Sequence, residues 1–184
     1  SASYYYSIIA LSRNLELTLN NFSKNSMQGD SKIISIFKKL GVETIFNKND
    51  NSILLRHIKT EIIDSLSLNL NDTPDIAQTL AVTCFGLGIH CKLEGLKTLK
   101  IKETDRLLAL KTELEKLGAN VTFTEESITV FRSRKIIENI TIETYQDHRM
   151  AMAFAPLVLK VPINILEPNV VTKSYTTFWE DLLK

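Results

Sequence analysis

The strongest constraint on this chain is that part of it is written twice. Phe37-Lys38-Lys39-Leu40-Gly41 recurs as Leu114-Glu115-Lys116-Leu117-Gly118, and each copy leads into an apolar strand, a polar turn and a second strand. In the first copy, residues 29–40 place Ile33, Ile36, Phe37 and Leu40 at helical spacing, with Lys32, Lys38 and Lys39 on the other face. Gly41 stands where a helix needs a left-handed closing residue. Residues 42–46 and 53–56 then read as a hairpin around Asn47-Lys48-Asn49-Asp50-Asn51. The second copy carries Val121, Phe123, Ile128 and Val130 on its strands, around the turn Thr124-Glu125-Glu126-Ser127.

A second self-match links Asp75-Ile76-Ala77-Gln78-Thr79-Leu80-Ala81 to Asp147-His148-Arg149-Met150-Ala151-Met152-Ala153, where an Asp-bearing turn begins an apolar helix. The opening run 2–11 reads as the tail of a third such helix, followed by an alternating strand at 15–19. The repeat unit is strand, buried helix, strand, amphipathic helix, strand, strand, with one full copy and a partial copy on each side. The first copy lacks its leading strand. The last, after a strand at 163–166, ends in the short run 175–183, so either sequence outside this chain supplies the missing pieces or the ends are frayed. Strands alternating with helices predict an α/β fold in which sheets cover helices that are apolar all round, at 77–87 and 150–159. Pro156 is expected to kink the second of these. Residues 1–184 are read as a single globular domain.

The charge balance narrows the function. With 22 basic and 21 acidic residues the net charge is +1, which creates no global field to draw in nucleic acid or an anionic membrane. Any anion site must be local. The two cysteines, Cys84 and Cys91, lie in or beside apolar runs without metal-like spacing, which predicts buried free thiols, a reducing compartment, no disulfide and no metal. The longest apolar stretch, residues 77–89, is too short and too interrupted to span a bilayer, and no leader pattern precedes it, so a cytoplasmic location is expected.

Local anion chemistry has two candidate places. Residues 99–106 pack Lys100, Lys102, Glu103, Asp105 and Arg106 where an expected apolar strand hands over to a helix at 107–117. Thr104 has the chemistry of an N-cap, which puts Arg106 in the first helical turn, where the backbone N–H groups disfavour a cation. Neutralisation by Asp105 or Glu103 would make this an ordinary solvated helix start. The equivalent turns of the repeat add Asp75, after a good helix start at Thr73-Pro74, and Asp147-His148-Arg149. Two arginines in first turns favour a shared anion, since a guanidinium pairs bidentately with carboxylate or phosphate. His148, beside Arg149, is placed to hold a proton or bond an oxyanion.

Asp72-Thr73-Pro74-Asp75, Lys102-Glu103-Thr104-Asp105-Arg106-Leu107, Asp147-His148-Arg149-Met150-Ala151-Met152 and the late Lys173 together resemble the 5-enolpyruvylshikimate-3-phosphate synthases, the 3-phosphoshikimate 1-carboxyvinyltransferases. Ser1-Ala2-Ser3-Tyr4 fits the end of that family's Asp-x-Ser-Ser-Ala-Ser-Tyr segment. The resemblance spans nearly the whole chain but covers only the C-terminal part of a protein about twice as long or more. It implies an inside-out α/β barrel of the enolpyruvyl transferase type, in a two-domain enzyme that closes over shikimate 3-phosphate and phosphoenolpyruvate and releases phosphate without a cofactor.

By the same resemblance, Asp75 bonds the attacking shikimate hydroxyl and helps to remove its proton, while Lys102 contacts that substrate and the departing phosphate. Glu103 carries the proton given to and taken from the methylene carbon. Arg106 and Arg149 clamp the phosphoenolpyruvate carboxylate with His148 beside them, and Lys173 reaches its phosphate. Thr98 stands where some members have an asparagine against the shikimate substrate, and Thr176 where a proline is expected. The partners implied are both substrates and the missing N-terminal domain, with the protein monomeric and the fragment alone inactive. The alternatives are the sister transferase acting on UDP-N-acetylglucosamine and a catalytically silent anion-binding module.

Overall fold

The computed structural model describes residues 2–12, 14–20, 24–47, 49–58, 63–101 and 105–182. They divide into two units, Ser1–Asp64 and Ser65–Lys184. The first opens with helix α1 (Ser3–Leu11), whose mean composition is apolar on every face and whose Tyr4, Tyr6, Ile9, Ala10 and Leu11 are all buried. Strand β1 (Glu16–Leu19) follows, then the amphipathic helix α2 (Lys24–Lys39) and strands β2 (Val42–Asn47) and β3 (Ser52–His57).

Helix α2 begins five residues before the expected start, and its stripe Ile33, Ile36 and Phe37 is buried as the spacing requires, together with Leu40 just past its end. The rings of Tyr6 and Phe37 meet at 5.2 Å, joining the two helices. Gly41 closes α2 at φ +85°, a conformation that costs an L residue about 1–2 kcal/mol. The β2–β3 turn is tied by Asn47 Nδ2 donating to Asp50 Oδ2 at 2.8 Å, while Asp50 Oδ1 accepts from the Ser52 hydroxyl at 2.6 Å.

The second unit repeats this plan and adds to it. Strand β4 (Ser65–Asn69) leads through a 3-10 turn at Pro74–Ile76 into helix α3 (Ala77–Leu87), strand β5 (His90–Glu94), a 3-10 turn at Lys97–Ile101, helix α4 (Arg106–Lys116) and strands β6 (Val121–Phe123) and β7 (Ser127–Val130). Its sheet runs β4-β5-β7-β6, and the first unit's runs β1-β3-β2. Dropping β4 makes the two orders identical, both with antiparallel pairs, so among the described residues the first unit has no counterpart of β4. The handover before α4 is a 3-10 turn and not the expected strand, because the chain leaves the sheet at Glu94 and turns at Gly95 (φ +78°).

The third copy supplies strand β8 (Ile140–Ile142), helix α5 (His148–Phe154) and strand β9 (Ile163–Ile165), with β8 and β9 parallel as β4 and β5 are. Pro156 does more than kink the helix. It lacks the N–H that an α turn needs, and the chain continues from Ala155 to Leu159 as 3-10 turns that leave Val158 and Leu159 exposed, so the expected all-round apolar helix ends at Phe154. Helix α6 (Phe178–Leu182) closes the chain by burying Phe178. Cys84 on α3 and Cys91 on β5 are buried free thiols, and a hydrogen bond between them, together with burial, raises the Cys84 pKa. No helix among the described residues is long and apolar enough to cross a membrane.

Candidate functional site

The second unit brings the two Asp-bearing turns of the repeat together around one arginine. Asp147 is the N-cap of α5: its Oδ1 accepts the Arg149 N–H at 2.8 Å, filling one of the orphan donors of the first turn. The chain enters this cap through a tight turn in which the Asp147 N–H bonds the Thr144 carbonyl at 2.9 Å. Tyr145 and Gln146, its two central residues, both hold positive φ, +54° and +56°. That is the pattern of a type I′ turn, which ordinarily takes Asn-Gly. Two non-glycine residues there store roughly 1–2 kcal/mol each, strain of the kind that gathers at functional sites.

Arg106, the first residue of α4, is only 2% exposed, and Asp147 is fully buried. Arg106 Nε donates to Asp147 Oδ2 at 2.6 Å and Nη2 to Oδ1 at 3.4 Å, a bidentate pair. Its Nη1 reaches Asp75 Oδ1 at 3.3 Å, and Asp75 Oδ2 in turn accepts from Arg149 Nη2 at 3.0 Å. Asp75 thus bridges two guanidinium groups. Unlike Asp147 it stays accessible, with 42% of its side chain exposed, and Arg149 is 23% exposed. The four buried side-chain polar atoms left without a protein partner among the described residues all belong to these two helix starts: Thr73 Oγ1, both amide atoms of Gln78, and Thr144 Oγ1.

Lys102, Glu103 and Thr104 lie outside the described residues. The cap of α4 is Asp105, whose Oδ1 accepts the Leu108 N–H at 3.1 Å, so Thr104 is not its N-cap. Asp105 is occupied as a cap, and Arg106 is neutralised by Asp147 and Asp75, 41 and 31 residues away, contacts that no local reading of 99–106 could reach. Thr73 makes no capping hydrogen bond, because Pro74–Ile76 is a 3-10 turn rather than the first turn of α3. His148 opens α5, half-buried. Lys173 is exposed and its Nζ donates to the Gln146 carbonyl at 3.0 Å, and Thr98 is exposed. Among the described residues no three His, Cys, Asp or Glu side chains are grouped to hold a metal ion.

Two residues carry weight that the sequence reading missed. Glu113 on α4 is fully buried, accepting from the Tyr145 hydroxyl at 2.7 Å, the Glu143 N–H at 3.0 Å and Lys116 Nζ at 2.6 Å. Burial and the bond to Glu113 push the Tyr145 phenol well above its ordinary pKa, which keeps it an O–H donor. A signal existed: Glu113 interrupts the buried stripe Leu107, Leu110, Leu114 of α4, and a carboxylate on an apolar face needs partners.

Comparison with known proteins bears on what this cluster serves. The family described as EPSP synthase (3-phosphoshikimate 1-carboxyvinyltransferase) matches residues 1–182. A 3-phosphoshikimate 1-carboxyvinyltransferase of Bacteroides fragilis is 43% identical over 187 residues, covering 100% of this chain and 45% of that protein. One from Neisseria meningitidis is 31% identical over 181 residues, covering 98% and 41%. The chain spans about half the length of the curated relatives it matches. Among solved structures, EPSP synthase of Acinetobacter baumannii superposes with a TM-score of 0.79 at 22% identity over 97% of this chain and 43% of its own. The enolpyruvyl transferase NikO of Streptomyces tendae gives 0.73 at 13%, covering 99% and 41%. The α/β fold is therefore that of the enolpyruvyl transferases.

Proposed function

Because the chain belongs to the EPSP synthase (3-phosphoshikimate 1-carboxyvinyltransferase) family, we propose that it is the C-terminal portion, residues 1–184 as one domain, of a two-domain enzyme of that activity. The whole protein transfers the enolpyruvyl group of phosphoenolpyruvate to the 5-hydroxyl of shikimate 3-phosphate, releasing phosphate, as a cytoplasmic monomer. The observation that carries this reading is the accessible Asp75 carboxylate held between Arg106 and Arg149, in a chain that carries both family motifs.

The chemistry follows from charge. Both substrates are dense with anions, so cations fixed in advance, in a cleft that the second domain closes, stabilise the charge that develops during transfer. Arg106 is fixed by Asp147 before any substrate arrives, and Arg149 by its place in the first turn of α5. The carboxylate of phosphoenolpyruvate competes with Asp75 for the same two guanidinium groups. Its arrival releases Asp75 to accept the proton of the attacking hydroxyl, which couples binding of one substrate to activation of the other. Lys102 and Glu103 follow Ile101 in the chain, where Lys102 meets the shikimate substrate and departing phosphate and Glu103 exchanges the methylene proton. His148 supports the oxyanion side. Lys173, which bonds the turn ahead of Asp147, is given the phosphate by the family pattern.

The test is phosphate release by the full-length protein. It should require shikimate 3-phosphate and phosphoenolpyruvate together, and release with UDP-N-acetylglucosamine in place of the first would sink the assignment. The 184-residue chain alone should show little or no turnover, since half of the enclosing cleft is missing.

A further inference from the structure

We propose that Glu113 and Tyr145 are positioning residues for the transfer reaction: a latch on α4 that holds the turn at 144–147 in its left-handed shape and so places Asp147, through which Arg106 and Arg149 are aimed at the substrate anion. A fully buried carboxylate on an apolar helix face is unfavourable unless its oxygens are satisfied; two of the three bonds of Glu113 tie down the segment that leads to α5, and the third goes to Lys116 on its own helix. Oε1 takes the Tyr145 hydroxyl; Oε2 takes the Glu143 N–H and the Lys116 ammonium, which itself reaches the Thr141 carbonyl at 3.2 Å. The segment from Thr141 to Tyr145 is thereby pinned to α4 at three points.

The residues that follow need such pinning. Tyr145 and Gln146 sit at positive φ, a shape that neither side chain favours, and the next residue is Asp147, the shared anchor of Arg106 and of the α5 cap. If the turn relaxed toward ordinary backbone angles, the Asp147 carboxylate would shift, and a bidentate pair tolerates little displacement. Helix α4 carries Arg106 at its start and Glu113 two turns later, so one rigid element fixes both the arginine and the turn that holds its partner.

The activity arm of the test rests on the reading given above, so it is paired with one that does not. In the full-length enzyme, Tyr145→Phe should raise KM for phosphoenolpyruvate about tenfold, the factor expected from losing one hydrogen bond to a charged acceptor, with KM for shikimate 3-phosphate changed far less. Glu113→Gln, which keeps an acceptor for the hydroxyl but turns an amide NH2 towards the Glu143 N–H and the Lys116 ammonium, should lose at least as much as Tyr145→Phe. Independently, amide hydrogen exchange at Asp147 and Arg149, both bonded in the turn and cap, should speed up about tenfold in Tyr145→Phe, while exchange within β5 and β7 stays as in wild type. Unchanged exchange and unchanged KM in Tyr145→Phe would overturn the latch. An equal rise in both KM values with exchange accelerated everywhere would reduce Glu113 and Tyr145 to general stability, and also overturn it. A wild-type enzyme without turnover would refute the proposed function, and the exchange arm would still decide the latch.

Discussion

Asp75 and Asp147 occupy matching places in two copies of one repeat, and the structure has put them to opposite uses. Asp147 is fully buried, caps its helix and grips Arg106 with both oxygens. Asp75 caps nothing, stays 42% exposed and spreads its oxygens over two arginines. The difference comes from the backbone. A strained type I′ turn delivers Asp147 to the N-cap position, whereas Pro74 starts a 3-10 turn that carries Asp75 past it. A duplicated scaffold thus provides one carboxylate that is buried in the cluster and one that stays accessible at it.

The largest effect should come from breaking the buried member. Asp147→Ala leaves a buried guanidinium without its main partner and should cost about 3–5 kcal/mol of stability, while Asp75→Ala in the same denaturant titration should cost about 1 kcal/mol or less. Equal losses would mean that the two aspartates are not specialised as described. A smaller change, of opposite sign, is expected at the turn: Gln146→Gly relieves a left-handed residue and should raise stability by about 1 kcal/mol, with the Lys173 bond to the backbone carbonyl retained. No gain on thermal unfolding would place the strain elsewhere.

The smallest effect concerns pH. The Tyr145 phenol is held protonated by burial and by Glu113, so in the folded state it titrates above its value of about 10 in the unfolded chain. The stability from that bound proton is fully present below pH about 10 and is lost as pH rises toward the folded-state value. Tyr145→Phe should flatten this alkaline decline in the unfolding free energy. A decline as steep as in wild type would assign it to another group.

Much of this was legible in the residues. The duplicated Leu-Gly helix ends, the hairpins and the Asp-bearing turns follow from spacing alone, because a repeat constrains backbone choices twice. The identity of the partners did not follow. The sequence offers Asp105 or Glu103 as local neutralisers of Arg106, whereas its partners are distant in sequence, brought in by packing. Tyr145-Gln146 carries no turn signature, because neither residue locally prefers the left-handed shape it holds beside the Tyr145–Glu113 bond. Pro156 announced a break, but the choice between a kink and a switch to 3-10 turns depends on what the following residues can bury.

The central claim is that the exposed aspartate is the reactive one, and it is most directly tested by phosphate release from the full-length enzyme carrying Asp75→Ala, with both substrates saturating. The account predicts turnover reduced roughly 10²–10⁴-fold, the scale of a lost general base, in a protein that unfolds close to the wild-type midpoint. Turnover within a few fold of wild type would contradict it.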